Sequence, residues 1–192
     1  MNIQKLTLGL YQTNTYILSR DTDALVIDPG YESDAILDAL EGKTLKAILL
    51  THGHFDHVGA VKELVAETGC AVYIHAADLT LPPMITAGQL YHTHTYDEGD
   101  TISPIPGVEL AVLHTPGHTP GSVCLLAGHD MFSGDTLFEG SCGRVDLPGG
   151  DPRQMMQSLR RLASLQSDYR VHPGHGDSTT LADEKRYNPY LR

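Results

Sequence analysis

Apolar residues along the chain come in short runs broken by Gly, Pro, Asp and Asn, the pattern of many short strands interleaved with a few helices. Residues 6–18 read as two strands around a turn at Gln12-Thr13-Asn14, and the apolar run 24–27 stops at the turn cluster Asp28-Pro29-Gly30. Ser33 then fits a helix N-cap, with Ile36, Leu37 and Leu40 on one face and Gly42 as the stop. Residues 45–50 are almost continuously apolar, as in a strand covered on both faces. Val58, Val61, Leu64 and Val65 recur at helical spacing up to Gly69, and 71–74 is the next strand. Residues 79–100 show no period and read as a loop with one helical turn. Further strands are expected at 108–113, 123–126, 131–132 and 169–171. Asp151-Pro152 reads as a cap followed by a first-turn proline, with Met155, Leu159 and Leu162 on one face, and a short helix follows Pro173-Gly174. Strands and helices that do not strictly alternate imply an α+β class: two sheets packed together, helices on the outer faces, one domain over residues 1–192.

A chain of 192 residues can bury a sizeable core, and 41% hydrophobic with 19% charged residues excludes a disordered chain or a coiled coil. Acidic residues outnumber basic ones 24 to 13, a formal charge of −11 that repels polyanions and excludes nucleic acid as the expected substrate. No run has the length of a membrane span, and the N-terminus lacks the apolar stretch of a signal peptide. Cys70, Cys124 and Cys142 are an odd, scattered set without a CxxC, which points to a reducing cytoplasm. Histidine is the informative excess: there are 11, most of them beside Gly, Pro or Asp.

The densest signal follows the buried strand ending at Leu50: Thr51-His52-Gly53-His54-Phe55-Asp56-His57. Imidazoles and carboxylates suit zinc, and also iron or manganese. In an extended segment His52 and His54 point the same way, while Asp56 and His57, at the turn into a helix, face a second position, so two adjacent ions could use the set. Leu113-His114-Thr115-Pro116-Gly117-His118, Phe132-Ser133-Gly134-Asp135 and Val171-His172-Pro173-Gly174-His175 repeat the theme of a polar ligand in a loop just after an apolar strand.

The pattern His52-x-His54-x-Asp56-His57, followed by His118, Asp135 and His175, resembles the metallo-β-lactamase superfamily, whose fold is an αβ/βα sandwich. The resemblance implies one divalent ion on His52, His54 and His118, a second on Asp56, His57 and His175, and Asp135 bridging them. With His57 present and Asp135 in the bridging place, the set is similar to glyoxalase II (hydroxyacylglutathione hydrolase) and its relatives. Lactam-hydrolysing members typically lack the last His of the first motif or use a Cys. Ser133-Gly134-Asp135-Thr136-Leu137-Phe138, Gly140-Ser141-Cys142-Gly143-Arg144 and the tail from Pro173 through Asn188-Pro189-Tyr190-Leu191 extend the likeness to the small single-domain members. It implies a hydrolase with two divalent ions, zinc first, that cleaves a thioester such as S-D-lactoylglutathione by attack of a metal-bridging hydroxide. Asp56 and Asp135 are the expected catalytic carboxylates, Asp56 orienting the nucleophile, and Arg144 the expected substrate-binding residue.

The sequence also departs from the longer glyoxalases II. No C-terminal glutathione-binding helical domain is expected, and Asp146 and Asp177 stand where the longer enzymes carry tyrosines. The stretch Cys142-Gly143-Arg144-Val145-Asp146 is shared with persulfide dioxygenase relatives, which use one iron, although Leu147 replaces their Phe. Elsewhere His92-Thr93-His94 reads as a solvated loop, Cys70 and Cys124 as core, Cys142 as a buried small residue and Ser122 as a turn residue. His114 and His172, beside the ligand loops, are candidates for orienting the ligands from behind.

Overall fold

Period-two burial along the strands decides the layers. In the computed structural model, which describes residues 1–191, the first half of the chain supplies β1 (Asn2–Leu8), β2 (Thr13–Arg20), β3 (Asp23–Ile27), β4 (Thr44–Leu49), β5 (Ala71–His75) and β6 (His94–Tyr96). They form one sheet in chain order, antiparallel from β1 to β3 and parallel from β3 to β6. The second half supplies β7 (Thr101–Ile105), β8 (Val108–His114), β9 (Val123–Ala127), β10 (Asp130–Gly134), the small hairpin β11 (Leu137–Phe138) and β12 (Ser141–Cys142), then β13 (Arg170–Pro173) and β14 (Thr179–Thr180). Its sheet runs β14-β13-β10-β9-β8-β7 and is also mixed, since β10 and β13 are parallel.

Alternate residues of each strand face different layers. Tyr16, Leu18, Leu25, Ile27, Ala47 and Leu49 meet Val112, Val123, Leu125 and Phe132 between the sheets. Their neighbours Ile17, Ala24, Val26 and Ile48 pack instead against α1 (Ser33–Ala39) and α3 (Val61–Thr68) on the outer face. On the opposite side, Cys124, Met131 and Val171 pack under α5 (Pro152–Ser164) and α6 (Leu181–Tyr187). The result is the expected αβ/βα sandwich of two mixed sheets with outer helices. Cys70 and Cys124 are buried, and Cys142 is only half-buried.

Several local expectations are corrected. The first turn is tightened by Gln12 N–H donating to Gly9 O at 3.1 Å, so it covers residues 9–12, and Thr13 and Asn14 already belong to β2. Ser33 does not cap α1: Glu32 occupies that position with a φ of 55°, and the Ser33 hydroxyl instead donates to Glu63 on α3 at 2.6 Å. The helical spacing from Val58 to Val65 is divided between α2 (Phe55–Val58) and α3, with Gly59 and Ala60 between them. A Cβ at Gly59 would stand 2.1 Å from Gly30 O, so the chain bends where backbone meets backbone. Residues 79–100 hold more structure than a loop. A 3₁₀ turn (Ala76–Thr80) runs into them, α4 (Pro83–Thr86) follows, and β6 closes the sheet edge with His94 stacked on Tyr73 at 4.7 Å. β7 and the β11–β12 hairpin were not expected from the pattern, because strands of two to five half-exposed residues carry little alternation. Among the described residues no helix is long and apolar enough to cross a membrane.

Candidate metal centre

Four loops leave the carboxyl ends of β4, β8, β10 and β13 and converge at one end of the sandwich seam. They bring together all seven residues singled out from the sequence. His52, His54 and His118 lie with one ligand nitrogen each within 4.8 Å of one another, and Asp56, His57 and His175 form a second such group. Asp135 stands between them: its Oδ1 is 3.4 Å from His57 Nε2 and its Oδ2 is 3.4 Å from His118 Nε2. His175 Nε2 lies 3.3 Å from Asp56 Oδ2 and 3.3 Å from His57 Nε2. Donor atoms on a tetrahedral ion with bonds of about 2.0–2.1 Å stand roughly 3.3–3.4 Å apart, so these spacings match edges of a coordination shell.

The chemistry of the donors also fits an ion. His52 Nε2, His54 Nε2, His118 Nε2 and Asp135 Oδ1 are buried and have no hydrogen-bond partner. A buried polar atom left unpaired costs about 1–3 kcal/mol, and four in one spot are explained by a ligand that accepts all of them. Burial, together with its imidazole neighbours, pushes the His54 pKa down to about 3, and His52 is lowered in the same way. Both rings are therefore neutral at pH 7, the form that binds metal. For His57 and His175 burial also favours the neutral ring, but Asp135 and Asp56, joined at His57 by Asp28, outweigh it and raise both. The two Nε2 atoms face each other at 3.3 Å. Burial works against ionisation of Asp135 and Asp56 as well, and the neighbouring imidazoles reverse it, holding both carboxyls low.

Four of the five rings are oriented from behind through their other nitrogen. His57 Nδ1 meets Asp28 Oδ2 at 2.9 Å, His118 Nδ1 donates to Arg144 O at 2.8 Å, and His175 Nδ1 donates to Tyr11 O at 3.0 Å. His52 Nδ1 is 3.1 Å from the Thr51 hydroxyl, which itself donates to Asp28. Asp28 groups with His52 and His57 as a third set of close donor atoms. Its Oδ2, however, is already engaged by His57 and Thr51, which makes it an orienting carboxylate. Thr13 donates to Asp56 at 3.3 Å, and the His175 loop is tied to β2 by Asn14 and Tyr16, whose side chains donate to Pro173 O at 3.0 and 2.7 Å. The loop can lie this close because position 174 is glycine: a Cβ there would sit 2.3 Å from Asp135 Oδ1.

Sequence reasoning missed Asp28, Thr13, Asn14 and Asp78. Asp28 did carry a usable signal, a polar residue directly after an apolar strand, but it was absorbed into a turn. The expected orienting histidines lie elsewhere: His114 donates to Pro120 O and stacks on His75, while His172 pairs with Asp130. Ser122 is the turn residue expected, accepting from Thr119 N at 3.0 Å.

The centre forms the floor of a cavity of about 640 Å³. Tyr11, Phe55, Met84, Ile85, Phe138 and Leu147 give it an apolar wall. Arg144 lines the same cavity, with its guanidinium held by both oxygens of Asp146 at 2.7 and 2.8 Å. This pair is exposed, and each group favours the charged form of the other.

The likeness to known proteins covers the whole fold. Hydroxyacylglutathione hydrolase GloC of Haemophilus influenzae is 34% identical over 209 residues, spanning 100% of this chain and 98% of its own. The structure of TTHA1623 in a di-iron-bound form superposes with a TM-score of 0.86 at 42% identity, covering 98% of this chain and 100% of its own. The BLEG-1 B3 metallo-beta-lactamase superposes with a TM-score of 0.90 at 34% identity over 99% of both chains. A profile of the metallo-beta-lactamase superfamily matches residues 8–175, which hold all seven converging residues, and the chain belongs to that superfamily.

Proposed function

We propose that this chain is a hydrolase with two divalent ions that cleaves a small-molecule thioester, with S-D-lactoylglutathione as the reference substrate. The observation that carries the reading is the convergence of three orphaned imidazole nitrogens and an orphaned carboxylate oxygen beside a second His/Asp group, under an open cavity. The full-length likeness to hydroxyacylglutathione hydrolase GloC supports the choice of a thioester. Two ions on these donors, zinc first and iron or manganese as alternatives, supply the Lewis acidity that lowers the pKa of a water toward about 7 and polarises the carbonyl. His52, His54 and His118 would hold one ion and Asp56, His57 and His175 the other, with Asp135 shared. Hydrolysis forms a C–O bond and breaks the C–S bond, releasing an acid and a thiol. The Asp56 carboxylate would orient the attacking water, and the apolar wall excludes bulk solvent from the acyl group. Arg144 steadies the substrate from the rim, competing there with Asp146. Residues 1–192 would act as one metallo-hydrolase domain, and free thiols at Cys70, Cys124 and Cys142 suit a reducing cytoplasm.

The test is metal analysis of the purified protein coupled to thioester hydrolysis, with a β-lactam as control substrate. About two ions per chain, and thioesterase activity abolished by chelation and restored by metal, is the expected result. Lactam cleavage without thioester cleavage overturns the substrate class. A second reading, a mononuclear iron enzyme acting on a persulfide, draws on Cys142-Gly143-Arg144-Val145-Asp146, of which Cys142 and Arg144 line the cavity. Iron content near one per chain with oxygen uptake on glutathione persulfide would favour it.

A further inference from the structure

Two buried carboxylates, Asp28 and Asp78, stand behind the centre. Asp28 addresses both groups, meeting His57 Nδ1 directly and His52 through the Thr51 hydroxyl. Asp78, in the 3₁₀ turn after β5, makes no ion pair with Lys or Arg among the described residues. It receives three hydrogen bonds, all from the loops that carry His52, His54 and His118. Gly53 N–H donates to Oδ2 at 2.8 Å, the Thr119 hydroxyl donates to Oδ2 at 2.9 Å, and Gly121 N–H donates to Oδ1 at 2.6 Å.

The placement of those donors is selective. Gly53 is the residue between His52 and His54, and Thr119 directly follows His118. No hydrogen bond from Asp78 reaches the segments of His57 or His175, which are tied instead to Asp28, Thr13, Asn14 and Tyr16. The fit at Asp78 is close: a Cβ at Gly121 would lie 2.7 Å from Asp78 Oδ1. The Ser122 hydroxyl, 2.8 Å from Thr119 Oγ1, extends the clamp along the His118 loop. Two loops from different sheets are thus fixed to one carboxylate, and the three imidazoles between them are set relative to one another before any ion arrives.

We propose that Asp78 is a positioning residue for the three-imidazole position alone, clamping the His52–His54 loop to the His118 loop, while the position of Asp56, His57 and His175 does not depend on it. The inference rests on the two-ion reading of the site. Replacing a residue that orients metal ligands from behind typically costs about 10–100-fold in metal affinity, and here the loss should fall on one ion.

The test compares wild type with Asp78→Ala and, to keep the volume, Asp78→Asn. Each protein is stripped and titrated with zinc, and long-range ¹H–¹⁵N imidazole spectra identify which histidines carry an ion. Wild type should show all five ring signals of His52, His54, His118, His57 and His175 shifted by zinc. The variants should need about tenfold more zinc or higher to shift His52, His54 and His118, with His57 and His175 titrating as in wild type. Equal weakening of both groups, or unchanged titration of His52, His54 and His118 in either folded variant, overturns the proposal. Should Asp78→Ala not fold, Asp78→Asn decides alone. The wild-type titration separately tests the two-ion reading, since a single equivalent there would refute that reading without removing the comparison at His52, His54 and His118.

Discussion

Asp135 is the residue on which the two donor groups meet. Its oxygens address His57 on one side and His118 on the other, and its Oδ1 has no other partner. Asparagine keeps the shape but replaces one anionic acceptor with an NH₂ donor, which no cation accepts as a ligand. Asp135→Asn should therefore lose at least one of two bound ions and cut thioester hydrolysis by about 100-fold or more, with the fold retained. Metal stoichiometry measured beside kcat checks this, and full activity with full metal would remove Asp135 from the bridging role. The same logic explains why Asp28 escaped notice: its work is done on the far nitrogen of His57, a relation in space with no spacing signature along the chain.

Among the elements, α5 shows how far local chemistry is legible. Asp151 caps it, accepting from Arg153 N at 2.7 Å and Gln154 N at 3.1 Å, with Pro152 in the first turn, as the sequence implied. Asp151→Ala should cost about 1 kcal/mol and lower the thermal midpoint by roughly 2–4 °C without changing metal content, readable by calorimetry. The buried strands were equally clear, because β3 after Asp23 and residues 47–49 of β4 are covered on both faces and read as apolar runs. The seven ligands were visible for a related reason: each sits in a polar loop directly behind such a run. What stayed hidden was fixed by tertiary partners. Ser33 looks like a cap, yet Glu63 of α3 draws its hydroxyl away. β6 is a three-residue edge strand whose pairing is supplied by β5, and nothing in His94-Thr95-Tyr96 alone distinguishes it from a loop. Asp78 looks like an ordinary acidic surface residue until the fold closes over it.

For the whole molecule, the charges gathered at the centre set how stability depends on pH and metal. Without an ion, His57 and His175 have pKa values raised above 6.5, so the stability they contribute is fully present below 6.5 and is lost as pH rises through the raised values. Asp56 and Asp135 are lowered from 3.8, so their contribution is present above 3.8 and is lost as pH falls through the lowered values. His52 and His54, lowered below 6.5, cost stability as pH falls beneath 6.5, so the thermal midpoint of metal-free protein should peak near pH 6.5 and decline toward both acid pH and pH 9. Metal must displace protons from His57 and His175, whose raised pKa values favour the charged rings at pH 7, so zinc binding should release protons, measurable as a buffer-dependent heat in titration calorimetry. A metal-free midpoint that climbs steadily from pH 6 to 9 would contradict this balance.

The origin of the ligands has one further consequence. His52, His54, Asp56 and His57 come from the half of the chain that builds the first sheet, and His118, Asp135 and His175 from the half that builds the second. Each donor group therefore draws two residues from one layer and one from the other, so an ion in either place would act as a rivet through the seam. Loss of metal should then loosen the registry of the two sheets at that end of the sandwich, raising amide exchange around β4 and β10 while the outer helices α3 and α5 stay protected.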